Sequence, residues 1–412
     1  MSLPRTQPAP ASAAVVPLYA AGFTTAFGAH SIAAGLGATN FAEHRDVGAD
    51  LLVLGVLLAL YDVAEVFLKP VFGSLSDRIG PKPVIIGGLM GFTLASLAGL
   101  WSGQVVMLAV ARLGQGAAAS AFSPASSASV ARLAGKSTGR YFGRYGSWKG
   151  LGYAFGPLLG AGAILVGGFP LLFGVLAALA LAVAVWVSAA VPRLDPLPRT
   201  RYTVADLARQ LTDRSFLGPT LVLAGATGAL GAAVGFLPAL AIRAGMGTVA
   251  SVGAVTVLAV ASSLVQPRIG RLRDAGRIQD RAGMAGGLGV IATGALVASF
   301  TPLAPGAWAA VTVYLAALLV GAGIGVATPV AFAHLADATP HERMGRTMGT
   351  AELGRELGDA GGPLLVGAVA SGAGIGWGLG ALAVAVGAIA ASAPTGSAPT
   401  AAAGSEDPER RP

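Results

Sequence analysis

Apolar runs close to twenty residues long recur twelve times along this chain, separated by short segments of Gly, Pro and charge. An α-helix needs roughly 20 apolar residues to cross a bilayer, so each run is long enough to be a span. Of the 412 residues 54% are hydrophobic and 11% charged, whereas soluble domains carry about a quarter charged residues. Such a chain cannot cover itself with polar surface in water. Its solvent is lipid, and the expected fold class is an all-α membrane protein.

The spans are expected near Val15–Leu36, Leu51–Phe72, Pro83–Leu100, Val105–Val130, Tyr141–Val166 and Gly168–Val191, then near Phe216–Leu240, Val249–Val265, Ala282–Phe300, Ala307–Phe332, Thr347–Ala370 and Ile375–Ala391. The polar segment "PRLDPLPRTRYTVADLARQLTDR" divides these twelve transmembrane helices into two sets of six. The expected organisation is a lead (1–14), an N-terminal bundle (15–191), a linker (192–215), a C-terminal bundle (216–391) and a tail (392–412). The lead has one Arg and several Pro before the first of many apolar runs, so it reads as a cytoplasmic lead-in and not as a cleaved signal. The tail is Ala, Pro, Ser and Gly followed by charges, which build no core, and it is expected to be disordered.

Charge sets the orientation. With both ends inside, the inner segments hold 21 of the 27 Lys and Arg residues, while the outer loops hold Arg45 and Arg243 alone. The positive-inside rule therefore places both termini in the cytoplasm. The net charge of +8 is then the mark of loops beside anionic lipid and needs no nucleic-acid partner. Arg outnumbers Lys by 23 to 4 in a chain dominated by Ala and Gly, a bias of GC-rich bacterial genes, so the expected location is a bacterial inner membrane. Cysteine is absent and the four His are scattered. This excludes disulfides, a thiolate metal site and a cysteine nucleophile, and no cofactor or metal is expected. No clustered nucleophile and base suggests an enzyme.

The halves repeat. "GRYFGRYGSWKGLGYAFGPLL" from Gly139 aligns without a gap on "GRTMGTAELGRELGDAGGPLL" from Gly345, and "KPVFGSLSD" from Lys69 has a weaker copy in "QPRIGRLRD" from Gln266. Parallel six-helix repeats with a substrate site at their interface are a transporter architecture.

Three motifs make the resemblance specific. "GSLSDRIGPK" (Gly73 to Lys82) resembles the loop signature of the major facilitator superfamily, with Pro81 in place of a usual basic residue. "RLGQG" (Arg112 to Gly116) resembles the family's fourth-helix signature, and "GLGYAFGPLLGA" (Gly150 to Ala161) its fifth-helix signature, found in proton-driven antiporters. The resemblance covers about residues 15–391. It implies two pseudo-symmetric six-helix bundles and a secondary transporter, resembling the drug:proton antiporter branch, that exchanges small molecules for protons by alternating access, expected to work as a monomer in the lipid bilayer. Proton-coupled import of a metabolite or sugar is the alternative.

The resemblance also implies that Gly73, Asp77, Arg78, Gly80 and Lys82 form a cytoplasmic latch, with Gly73 and Gly80 letting a short cytoplasmic turn pass close to neighbouring helices and Asp77 accepting from the first amides of the eleventh helix. For Lys82 a solvated loop residue is an equal reading. Gly152, Gly156 and Gly160 form a stripe at i, i+4 and i+8 that permits close helix packing, and Pro157 removes one backbone donor.

Nine ionisable residues fall inside spans: Asp62, Glu65, Lys69, Arg112, Lys149, Glu352, Arg355, Glu356 and Asp359. Isolated in lipid, at about 2.5–3.5 kcal/mol each, they would cost on the order of 25 kcal/mol, beyond the roughly 5–15 kcal/mol of a typical fold. They must pair, hydrate or go neutral. Asp62, Glu65, Arg112, Glu356 and Asp359 are the proton-coupling candidates, with Asp62 first; Lys69 and Lys149 are as readily explained by snorkelling. Counted at about 1.5 Å per residue, Lys69 matches Glu352 in depth and Glu65 matches Arg355, so these are the expected gate pairs. The intrahelical pairs Glu65–Lys69 and Arg355–Asp359 satisfy the same charges without a gate. His30 is expected to be a hydrogen-bonded packing residue. Tyr19, Phe23, Phe27, Tyr61, Phe122, Phe236 and Tyr314 are candidates to line a cavity, although most are expected to face lipid or core.

Overall fold

Lipid offers no partner for backbone polar groups, so each apolar run satisfies its own as a helix. The computed structural model describes residues 11–39, 47–101, 105–196 and 212–392. The helices are α1 (Ala11–Thr39), α2 (Val47–Ile79), α3 (Pro81–Ala98) and α4 (Val105–Ala134). A continuous helical stretch Thr138–Ala190 follows, broken by non-helical backbone at Gly167 and Gly168, and its two parts are α5 (138–166) and α6 (169–190). The second half holds α7 (Arg214–Arg243), α8 (Gly247–Asp274), α9 (Asp280–Ser299), α10 (Ala307–Ala338), α11 (Met344–Ala373) and α12 (Ile375–Ala391). Among the described residues, seven helical stretches are long and apolar enough to cross a membrane by length and composition, the broken one counting once. Most of the expected lead, linker and tail, and hence the expected positions of both termini, lie outside the described residues.

In the first half α1 packs on α5, and α4 on α2 and α3; in the second, α7 packs on α11, and α10 on α8 and α9. The equivalence of α1 on α5 with α7 on α11 carries the internal repeat into three dimensions. Glycine makes both contacts close. A Cβ on Gly152 would stand 2.8 Å from the Phe23 carbonyl oxygen of α1, and one on Gly228 of α7 would stand 2.9 Å from the Gly358 carbonyl of α11. The halves meet through α2 on α11 and α5 on α8, with further contacts of α5 on α10 and α4 on α11.

Several helices outrun their apolar runs. The segment Gly73 to Ile79, expected as a turn, continues α2, and the turn is confined to Gly80, whose φ of 88° belongs to the left-handed region that glycine tolerates. The physical reason lies in the neighbouring chain. Gly73 sits against backbone, where a Cβ would lie 3.3 Å from the Gly349 Cα, so its missing side chain gives the expected close approach to a neighbouring helix, but from within α2 and not from a turn.

Candidate functional site

Two carboxylates fasten the halves together at the end of the bundle that carries the basic loops. Asp77, in the last turn of α2, accepts hydrogen bonds from the Gly345 and Arg346 amides at 2.8 and 2.9 Å. Those amides open α11 and have no partner within their own helix. Asp274, at the end of α8, does the same for α5, accepting from the Gly139 and Arg140 amides at 2.8 and 2.7 Å. Arg273 reinforces the second cap. Its guanidinium donates to both Asp280 oxygens at 2.7 and 2.9 Å and to the Thr138 hydroxyl at 2.9 Å, and it pairs with Asp337 at 2.7 Å. The buried His334 Nδ1 lies 2.7 Å from Asp280. Of the other expected latch residues, Arg78 is exposed. Lys82 does not bridge the halves: it donates to the Ser188 and Val191 carbonyls at 2.8 and 2.7 Å, which lie in α6 and just beyond it.

Deeper in, α2, α4, α5 and α11 converge on a network of charge. Lys69 donates to Glu65 on its own helix at 3.0 Å, bonds Glu356 across the interface, and lies 3.7 Å from Glu352. Glu352 accepts from Ser123 at 3.0 Å and faces Lys149 at 3.6 Å and Arg355 at 3.7 Å with the same oxygen. Arg355 also donates to the Tyr153 hydroxyl at 3.3 Å. The expected gate pairs are therefore redistributed. Lys69 reaches Glu352, but its hydrogen bonds go to Glu65 and Glu356. Glu65 and Arg355 form no ion pair among the described residues; a lysine has three donors and can gather several carboxylates, so Glu65 is taken by Lys69 one turn away. The intrahelical alternative Arg355–Asp359 is not formed either. Arg112, on α4, lies 4.6 Å over the Tyr61 ring.

Burial falls in one direction along this network. Glu352, Lys69, Glu65 and Arg355 are 0, 1, 5 and 6% exposed, Glu356 and Asp359 are partly exposed, and Asp62 is exposed. The network is sealed toward the basic end and open away from it. The opening is lined by His30, Tyr61, Asp62, Glu65, Lys69, Lys149, Arg355, Glu356 and Asp359. His30 stacks edge-on to Tyr153 at 4.6 Å, and its Nδ1 lies 3.1 Å from the Ala26 carbonyl; a carbonyl only accepts, so Nδ1 is the donor in this contact.

A second lobe adjoins the first through Lys149, Tyr153, Thr227, Leu230 and Arg355, and is lined further by Phe142, Tyr145 and Phe332. Of the aromatic residues expected to line a cavity, Tyr61 does so. Phe122 instead packs edge-on against Phe92, and Tyr314 donates to the Ala250 carbonyl. Lys149 stood outside the expected site, and Phe142, Tyr145 and Tyr153 were missed, although with Lys149 they recur at helical spacing on α5. Gly152, Gly156 and Gly160 lie against α1, on the contact within the first half.

Residues 11–363 match the family model of the Major Facilitator Superfamily. A 106-residue stretch is 37% identical to the class H tetracycline resistance protein of Pasteurella multocida and covers 26% of each chain. A 72-residue stretch is 39% identical to the multidrug resistance protein MdtM of Escherichia coli O157:H7 and covers 18% of each. The chain thus matches about a quarter or less of the length of these curated relatives. The fold is shared much more widely than the sequence. The crystal structure of the human organic anion transporter MFSD10 aligns with a TM-score of 0.78 at 18% identity, covering 93% of this chain and 99% of that one. The Escherichia coli fucose:proton symporter FucP aligns with a TM-score of 0.74 at 15% identity, covering 93% and 97%.

Proposed function

Because the chain belongs to the major facilitator superfamily, whose members are transporters and not enzymes, we propose that it is a proton-coupled secondary transporter that exports small molecules by alternating access. The observation that carries this reading is the graded network between the halves. Seven Asp, Glu, Lys and Arg side chains line an opening that is sealed at one end and accessible at the other, and buried charge of this kind in a membrane protein marks an ion or substrate path. In this reading the basic end is cytoplasmic, in a bacterial inner membrane with both termini inside, and the chain works as a monomer. Asp77 and Asp274 close that end by capping α11 and α5. Asp62, Glu65, Glu356 and Asp359 carry the coupled proton, and Lys69 links it to closure by holding Glu65 on one half and Glu356 on the other. The names of the matched relatives favour export.

Proton-coupled import is the second reading. The pair of cations at Lys149 and Arg355 is compatible with it, since a proton that travels inward with an anion cancels the electrical cost of anion entry.

The test is proton movement. Compounds, tetracycline among them, are first screened for raising the melting midpoint of the purified protein, which only ligands of the folded state do. Binders are then added to energised inverted vesicles whose internal acidity is read by a dye. Export in exchange for protons predicts proton release on addition of at least one binder, lost in Asp62→Asn. Binders that move without any proton flux would refute the coupling.

A further inference from the structure

The aromatic lobe has a charge pattern unlike that of its neighbour. Its charged lining residues are both bases, Lys149 and Arg355. Their side chains are 8 and 7% exposed, and the acid they share is Glu352. At 3.6 and 3.7 Å its oxygen lies beyond hydrogen-bond distance of either, while Ser123 holds that same oxygen at 3.0 Å. Arg355 Nε is buried with no hydrogen-bond partner. Beyond Glu352, Lys149 has the Tyr145 ring at 5.7 Å. A guanidinium offers five donors and an ammonium three, so both groups hold donor capacity that the protein itself does not fill. A buried donor left as Arg355 Nε is is costly, which points to a ligand that completes it.

We infer that the transported molecule is an organic anion with an aromatic or alicyclic body, whose carboxylate or sulfonate seats between Lys149 and Arg355. Two oxygens of the acid group match a guanidinium edge, and the ammonium takes the third oxygen of a sulfonate or the second lone pair of a carboxylate oxygen. The body then lies against Phe142, Tyr145, Leu258 and Phe332, which line the same lobe. The acids Asp62, Glu65, Glu356 and Asp359 line the neighbouring lobe, and Lys149 and Arg355 border both, so the seat lies where the two lobes meet. The inference rests on the transport reading but not on its direction.

Three probes of nearly one shape decide the sign of the charge: naphthalene-2-sulfonate, 2-naphthylmethanol and 2-naphthylmethylammonium, each titrated calorimetrically into the full-length protein in nanodiscs. The sulfonate is expected to bind on the order of 10- to 100-fold more tightly than the alcohol, the range of a charge-assisted hydrogen bond, and the ammonium more weakly than both. Lys149→Gln is expected to abolish that preference and Lys149→Arg to keep most of it. Equal affinities for the three probes, tightest binding of the ammonium, or an unchanged preference in folded Lys149→Gln would overturn the inference. Should Lys149→Gln fail to fold, the series on the unaltered protein still decides. Binding is measured without a gradient, so failure of proton coupling in vesicles and failure of anion selectivity here are separate results.

Discussion

Replacing Asp77 by Asn tests whether the caps hold the basic end shut. Each Asp77 oxygen accepts one amide of α11, from Gly345 at 2.8 Å and Arg346 at 2.9 Å. Asn keeps one acceptor and turns an NH2 toward the other amide, so one charge-assisted bond is lost and the survivor becomes neutral. A hydrogen bond to a charged group contributes about 1.5–3 kcal/mol, so the balance between closed and open forms should shift roughly 10- to 150-fold toward open. Ser127 is a suitable reporter. It is fully buried on α4, one turn beyond Ser123 toward the basic end, and its hydroxyl bonds the Pro124 carbonyl of its own helix. In a Ser127→Cys background, natural absence of cysteine gives a single reactive thiol. Labelling by an impermeant maleimide applied from the basic side should accelerate by about the same factor when Asp77→Asn is added. An unchanged labelling rate in a folded, membrane-inserted double variant would refute the closure argument and leave Asp77 as a local helix cap.

Gly73→Ala should open the same end by steric means, because its Cβ would lie 3.3 Å from the Gly349 Cα and rigid backbone cannot yield; overpacking of this kind costs about 1–3 kcal/mol, and faster Ser127→Cys labelling checks it. For the charge network, Lys69→Glu and Glu356→Lys should each abolish transport and recover in part when combined, whereas Glu65→Arg with Arg355→Glu should show no recovery, since those two residues form no pair; substrate-driven proton flux in vesicles reads both cycles. For topology, single cysteines at the exposed Ala275 between α8 and α9 and the exposed Ala307 opening α10 should label from opposite faces of intact cells, with Ala275→Cys shielded from an impermeant reagent.

The spans were legible because lipid enforces one simple rule on twelve runs, and the break at Gly167–Gly168 falls between two of them as expected. The helix extensions past Phe72 and Val265 were not legible, because polar segments leaving a membrane lose the hydropathy signal while the opposite half still supplies contacts. In the charge network, spacing identified which residues share a face, but depth alone could not apportion partners. Lys69 gathers three carboxylates, a choice made by donor number and crowding across four helices. Arg273, Asp280, His334 and Asp337 come from three different helices, and nothing in linear spacing brings them together. The stripe of Phe142, Tyr145, Lys149 and Tyr153 was readable in principle from its helical spacing, but an aromatic stripe at that spacing fits a lipid- or core-facing surface equally well.

Charge on the substrate also decides between export and import, because the two readings move different amounts of charge. Sending one monovalent anion out while one proton enters carries two elementary charges in the same electrical sense. At about 2.3 kcal/mol per charge per 100 mV, an interior-negative potential of that size drives the exchange by roughly 4.6 kcal/mol, on the order of a 10³-fold concentration ratio. Carrying the anion and the proton together moves no net charge, so the potential contributes nothing. Proteoliposomes loaded with naphthalene-2-sulfonate at equal pH on both sides, and given an interior-negative potassium diffusion potential with valinomycin, separate the cases whichever way the protein inserts. Exchange predicts accelerated loss of the sulfonate, accompanied by internal acidification and absent in Lys149→Gln vesicles and in liposomes without protein. Sulfonate movement that carries protons with it and ignores the potential would refute export by exchange, while leaving the seat between Lys149 and Arg355 in place.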